Sequence, residues 1–171
     1  MFEVKKIYID MDGVLADFDK GVSDICGMIP KTDQTVHDEE WDNKLWAGVK
    51  AAGHFYDMLD PLPGAVEMFK TIYEAFGDKF EILTGIPKEK RGIDTAAEDK
   101  IKWTRRLLSE TVVINTVYRA EKQQFCLGPE YVLIDDHPTN IKEWVEMGGT
   151  GVFHVDAKST IEKLKELNIL N

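Results

Sequence analysis

Lys6-Ile7-Tyr8-Ile9-Asp10-Met11-Asp12-Gly13-Val14 is the stretch whose reading decides the fold. A short apolar strand over Lys6–Ile9 runs straight into an acid, a second acid follows two residues on, and Gly13 suits a sharp turn. Residues two apart on a strand share a face, so Asp10 and Asp12 are expected to serve one site as the strand gives way to a loop. The same punctuation recurs downstream. Lys79–Leu83 reads as a strand ending at Thr84, Val112–Val117 as a third, Tyr131–Ile134 as a fourth ending at Asp135-Asp136, and Gly151–Val155 as a fifth. Helical patterns lie between them. Pro63-Gly64 precedes Val66, Phe69, Tyr73 and Phe76; Ile101, Thr104 and Leu108 mark another face. Pro138 opens a helix carrying Ile141 and Val145 that Gly148-Gly149 stops, and Ser159 with Glu162 resembles a capping box.

Alternating strands and helices predict an α/β fold: a doubly wound, parallel, five-stranded sheet covered on both faces. Ligands then sit beyond the carboxyl ends of the strands, where Asp10, Thr84 and Asp135-Asp136 fall. From about Asp17 to Leu62 the alternation breaks. This stretch holds Trp41, Trp46, Phe55 and Tyr56 among many acids and is too long for an ordinary connection. The expected organisation is a core of residues 1–17 and 63–171, with residues 18–62 inserted after the first strand as a small helical cap.

Composition bounds the function. The chain has 171 residues, 43% hydrophobic and 30% charged, an ordinary globular balance. No apolar run approaches the ~20 residues that span a bilayer, and Met1–Lys6 lacks the apolar stretch of a secretory signal. No membrane role is expected, and the cytoplasm is the expected compartment. Cys26 and Cys126 lie far apart without metal-ligand spacing, which argues against zinc or a disulfide framework. The net charge of −10 opposes binding of polymeric nucleic acid, yet leaves room for a small anion met by locally placed cations. A homodimer is compatible with these features.

The chemical constellation has four parts. Two carboxylates as close as Asp10 and Asp12 raise a like-charge problem that a divalent cation solves; the plainer reading is a polar loop. Thr84 offers a hydroxyl, and the N–H groups that follow it from Gly85 onward suit a phosphate oxygen, although threonine at a strand end is often only a turn residue. Lys100, in a helix opened by Glu98-Asp99, can neutralise phosphate, with Lys102, Arg105 and Arg106 as competitors. Asp135-Asp136 after an apolar strand suits Mg²⁺, which prefers oxygen ligands, while Asp136 also suits the cap of the helix at Pro138. His137 reads as a surface or capping residue.

Together and in this order the four parts resemble the haloacid dehalogenase superfamily of phosphohydrolases. Asp10-Met11-Asp12-Gly13-Val14-Leu15-Ala16-Asp17-Phe18, Asp60–Ala65 and Lys100-Ile101-Lys102-Trp103 are similar to signatures of its 5′(3′)-deoxyribonucleotidases. Thr84-Gly85-Ile86-Pro87 departs from that pattern, Tyr118–Glu130 is longer than expected with Arg119 and Lys122 aligned only loosely, and Ser23–His54 has no clear counterpart. The resemblance implies a first strand lying between the second and the fourth. It implies Asp10 as nucleophile, Asp12 as general acid and base, and Thr84 and Lys100 on the phosphoryl group. Mg²⁺ would be held by Asp10, the Asp12 carbonyl and Asp136, with Asp135 as an auxiliary ligand. A deoxynucleoside monophosphate would be the substrate, its base against Phe18. The rivals are a sugar-phosphate phosphatase of the same superfamily, a receiver-type binding switch and a scaffold on an inactive core. The DxD after the first strand opposes the switch, and the complete set of site residues opposes the scaffold.

Overall fold

The computed structural model describes residues 3–31 and 36–171. Residues 1–2 of the expected core and 32–35 of the expected insertion lie outside that range. β1 (Lys6–Ile9), β2 (Phe80–Gly85), β3 (Val113–Val117), β4 (Tyr131–Asp135) and β5 (Thr150–Phe153) form one parallel sheet in the order β3-β2-β1-β4-β5. β1 is central. Ile7 and Ile9 are fully buried and Tyr8 nearly so, as a strand covered on both faces requires. Its neighbours are in register with it, Ile9 facing Ile82 on one side and Ile134 on the other, so the Asp10, Thr84 and Asp135 ends lie side by side.

The described residues form six α-helices: α1 (Phe18–Asp24), α2 (Glu39–Ala52), α3 (Ala65–Phe76), α4 (Ala96–Leu107), α5 (Pro138–Glu146) and α6 (Ala157–Glu166). Gly64 adopts φ +74° ahead of α3, which buries Met68, Phe69 and Ile72. Three sequence expectations need correction. The buried face of α4 is Ala96, Asp99, Lys100, Trp103 and Thr104, while Ile101 is exposed. Two charged residues face inward there, so apolar periodicity picked the wrong stripe. The box capping α6 pairs Asp156 with Ser159, not Ser159 with Glu162. His137, not Asp136, caps α5, its Nδ1 accepting from the Thr139 N–H.

Between β1 and α3 lie α1, α2 and a short 3-10 helix, Phe55–Met58. Asp17 caps α1 through Lys20 N–H, and Asp38 caps α2 through Trp41 N–H. The two ends of this segment are stitched together: Asp17 N–H reaches Asp60 O at 2.8 Å, and Leu62 N–H reaches Leu15 O at 2.9 Å. Leu45, Val49, Phe55, Tyr56 and Leu59 join the same apolar cluster as β1 and α3, so the segment shares the main core. No helix among the described residues is long and apolar enough to cross a membrane.

Candidate active site

β1 delivers Asp10 and β4 delivers Asp135 with Asp136 after it, and one carboxylate oxygen from each of the three lies within 4.8 Å of the others. Between two of them sits a residue whose role the sequence left open. Lys122, on a 3-10 helix at Arg119–Phe125, donates to Asp10 Oδ1 at 2.7 Å and to Asp135 Oδ2 at 2.9 Å and is only 3% exposed. Burial pulls the ammonium toward losing its proton, and Asp10 and Asp135 outweigh that and raise its pKa. The Asp135 carboxyl is pushed up to about 6 by burial and by Asp10, against the opposing pull of Lys122. Its remaining contacts orient it: His137 N–H on Oδ1 at 2.8 Å and Asn140 Nδ2 on Oδ2 at 3.0 Å. Asn140 Oδ1 in turn receives Arg119 at 3.1 Å.

The second half of the site is built around Lys100. Its ammonium, fully buried, donates to Asp12 Oδ2 at 2.7 Å, Thr84 Oγ1 at 2.8 Å and Gly85 O at 2.7 Å. Its sequence competitors point elsewhere: Lys102 to Glu98, Arg105 to Ser109 O, Arg106 to Asp57. Asp12 Oδ1 is closed off from solvent and has no hydrogen-bond partner. Burial raises the Asp12 pKa, with Lys100 opposing. Gly85 contributes its carbonyl. The next N–H, on Ile86, is taken by Val117 O at 2.8 Å and is not available to a phosphate oxygen.

The acids suit a hard divalent cation, since carboxylate oxygen is what Mg²⁺ selects. Gly13 adds a structural reason. It sits at φ +80°, and a Cβ there would collide with the Asp136 carboxylate, so the turn is cut to admit that acid.

Phe18 is the first residue of α1 and half-buried, its ring 5.5 Å from Phe55 in an edge contact and 6.4 Å from Tyr56. Phe55 and Tyr56 are themselves buried. Trp41 is engaged within its own segment, giving its indole N–H to Ile29 O at 3.2 Å. The sequence leaves Lys122 unassigned because its 3-10 helix has no hydrophobic period to anchor an alignment. A topological signal is present: the chain leaving β3 starts at the carboxyl edge of the sheet, so a cation early in that crossover belongs near the site.

Comparison with known proteins agrees with this geometry. Residues 4–160 match the family described as 5′ nucleotidase, deoxy (Pyrimidine), cytosolic type C protein. No curated protein sequence matches the chain. Among solved structures, a dehalogenase with an intermediate complex aligns at TM-score 0.63 and 12% identity, over 97% of this chain and 98% of that one. A HAD family hydrolase from Deinococcus radiodurans R1 with bound phosphate and sodium aligns at TM-score 0.52 and 17% identity, over 88% and 80%. A hydrolase from Pseudomonas syringae aligns at TM-score 0.51 and 18% identity, over 95% and 98%. At these identities the likeness is one of fold. With the sequence match spanning nearly the whole chain, the protein belongs to the cytosolic type C deoxy 5′ nucleotidase family and is a phosphatase.

Proposed function

We propose that the protein is a Mg²⁺-dependent phosphomonoesterase that works through an aspartyl-phosphate on Asp10 and acts on deoxynucleoside monophosphates. The observation that carries this reading is the division of the two lysines: Lys122 holds Asp10, and Lys100 holds Asp12, two residues further on. Asp10 thereby shares its ammonium with Asp135, and Asp12 keeps a buried oxygen without a partner.

Asp10 attacks phosphorus in line with the leaving oxygen. A bond forms between its carboxylate oxygen and phosphorus as the ester P–O bond breaks, and Asp12 gives its proton to the departing alkoxide. In the second step Asp12 takes a proton from water, the water oxygen attacks phosphorus, and the Asp10–phosphorus bond breaks to release phosphate. Lys100 and Thr84 hold phosphoryl oxygens as charge redistributes. A divalent ion held by Asp10, the Asp12 carbonyl and Asp136, with Asp135 as auxiliary, would supply positive charge that offsets repulsion between carboxylate and phosphate dianion. Residues 18–62 serve as a cap that excludes bulk water, and the core comprises 1–17 and 63–171.

Family membership favours a nucleotide, and Phe18 supports it. The residue sits at the start of α1, just past the DxD loop, with a ring not fully consumed by packing. Stacking on such a face is worth roughly 1–3 kcal/mol per base. The deciding experiment measures kcat/KM for dUMP, dTMP, UMP, dAMP and a sugar phosphate in wild type and Phe18→Ala. A deoxynucleotide preference that Phe18→Ala selectively erodes is expected. Preference for the sugar phosphate would remove the nucleotidase and leave the phosphatase.

A further inference from the structure

The three donors of Lys100 are all spent on oxygen, and two of those oxygens, Asp12 Oδ2 and Thr84 Oγ1, are ones that chemistry disturbs, while the third, Gly85 O, belongs to the backbone. Asp12 must turn to the leaving group, and Thr84 and Lys100 must both turn to the incoming phosphoryl group. A lysine left with one backbone carbonyl as its fixed partner would be free to swing about that single bond when its position is needed. Lys100 has one further neighbour that no substrate oxygen replaces: the Tyr56 ring, whose centroid lies 4.5 Å from Nζ. That is a cation–π contact between a fully buried ammonium and a ring 2% exposed, where such contacts are strongest.

The register of ring and ammonium is built in. The chain on either side of Tyr56 is stapled to α4, the helix that carries Lys100. Thr95 Oγ1 donates to Gly53 O at 3.1 Å, and His54 Nδ1 meets Asp99 Oδ1 at 2.9 Å. Arg106 holds both Oδ1 and O of Asp57, at 2.9 and 2.8 Å, and Trp103 Nε1 donates to Leu59 O at 2.7 Å. These bonds bracket Tyr56 along the strap and Lys100 along the helix. Phe55 packs edge-on against the Tyr56 ring at 5.4 Å and limits its swing. Burial, then the nearby Asp12 charge, keeps the phenol well above its usual pKa of 10, so the ring stays neutral at any working pH.

We propose that Tyr56 is a positioning residue for the phosphatase reaction. Its ring face anchors the Lys100 ammonium while that ammonium exchanges its oxygen partners for those of the phosphoryl group. The inference rests on the reaction proposed above. It assigns the effect to the ring and not to the hydroxyl, and to the phosphate and not to the rest of the substrate.

The test compares Tyr56→Phe, Tyr56→Leu and a series at position 56 running from phenylalanine through its mono-, di- and trifluoro forms. Each is assayed on an aryl phosphate and on dUMP. The Lys100 ε-methylene resonance, assigned by its loss in Lys100→Met, is followed by NMR in the resting protein. Tyr56→Phe should keep activity and the ring-current shift at Lys100. Tyr56→Leu should lose about tenfold or more in kcat/KM on both substrates and lose the shift. The fluorinated series is nearly isosteric and folds alike, and should fall stepwise as fluorine drains the ring face. A flat fluorine series, or a Tyr56→Leu enzyme with wild-type activity and an unmoved Lys100 resonance, would overturn the proposal. So would a loss confined to dUMP, which would make Tyr56 a base contact. A wild type inert toward both phosphates would instead sink the proposed reaction, while the resting-state resonance would still report on the ring contact.

Discussion

Replacing Lys122 by methionine keeps most of the side-chain volume and removes one charge from between two buried carboxylates. The ammonium of the native side chain stands 2.7 Å from Asp10 and 2.9 Å from Asp135. At an effective dielectric of about 20, each of these pairs is worth roughly 6 kcal/mol of Coulomb energy before solvation is counted. Desolvation of the three groups offsets most of that, and removing one partner of a buried charge cluster costs on balance about 3–5 kcal/mol. In a chain of this size that lowers Tm by roughly 10 °C. The assay is urea and thermal denaturation of wild type and Lys122→Met, first in chelator and then in Mg²⁺. In chelator the full gap should appear. In Mg²⁺ the gap should narrow, because a cation bound by the same acids relieves the repulsion the mutation exposes. In Mg²⁺, where the wild type turns over, the variant's turnover should collapse. A Lys122→Met protein as stable as wild type in chelator would refute the idea that this lysine balances Asp10 and Asp135.

Asp12→Asn should lose most turnover on dUMP and much less on an aryl phosphate, whose leaving group needs no proton; equal losses on both would exclude Asp12 as the general acid. Chelation should abolish activity and Mg²⁺ restore it, with Ca²⁺ a poor substitute and Asp136→Ala shifting the Mg²⁺ requirement upward; full activity in chelator would eliminate the metal. Burial holds the His154 imidazole below its usual pKa of 6.5, with Asp156 and Asp10 pulling the other way. The unfolded chain therefore takes up a proton that the folded one resists, so this contribution is complete above pH 6.5 and is lost as pH falls through the window beneath it. Urea titrations between pH 7.5 and 5 should give a shallower decline for His154→Asn than for wild type, and parallel declines would contradict the assignment.

The sheet is legible because its inner strands β1, β2 and β4 are largely buried and therefore read as apolar runs. Each inner run stops at a polar residue, and the stops of β1, β2 and β4 are where the candidate site lies. The DxD spacing carried its own geometry, and Gly13 supplied the turn. α4 was misread for the opposite reason. Its inward face carries Asp99 and Lys100, and a hydrophobic period cannot see a face that packs on polar partners. Lys122 was harder still, since its segment is neither strand nor α-helix, and its meaning comes only from the two acids that the fold brings to it. Asn140 carries no signal in the sequence, because an amide four residues after an acid pair looks like any polar helix residue. Its function appears only when its side chain is seen to hold Asp135 on one side and Arg119 on the other.

An acidic chain of net charge −10 can still manage a phosphate because of where its charges lie. Most of its carboxylates are solvated, and at physiological salt their fields decay within about 8 Å. Lys100 and Lys122 are sealed among protein atoms, 0% and 3% exposed, so their fields act at contact and are little screened. They also enter from different crossovers, Lys100 on α4 between β2 and β3, Lys122 on the 3-10 helix between β3 and β4. Each therefore takes a different acid of the DxD pair: Lys122 meets Asp10, Lys100 meets Asp12. A single lysine bridging both acids would tie them to one electrostatic fate. Two lysines on separate elements hold the two carboxylates independently and leave Asp12 with a buried oxygen that has no partner, which is the separation the proposed division into nucleophile and general acid requires.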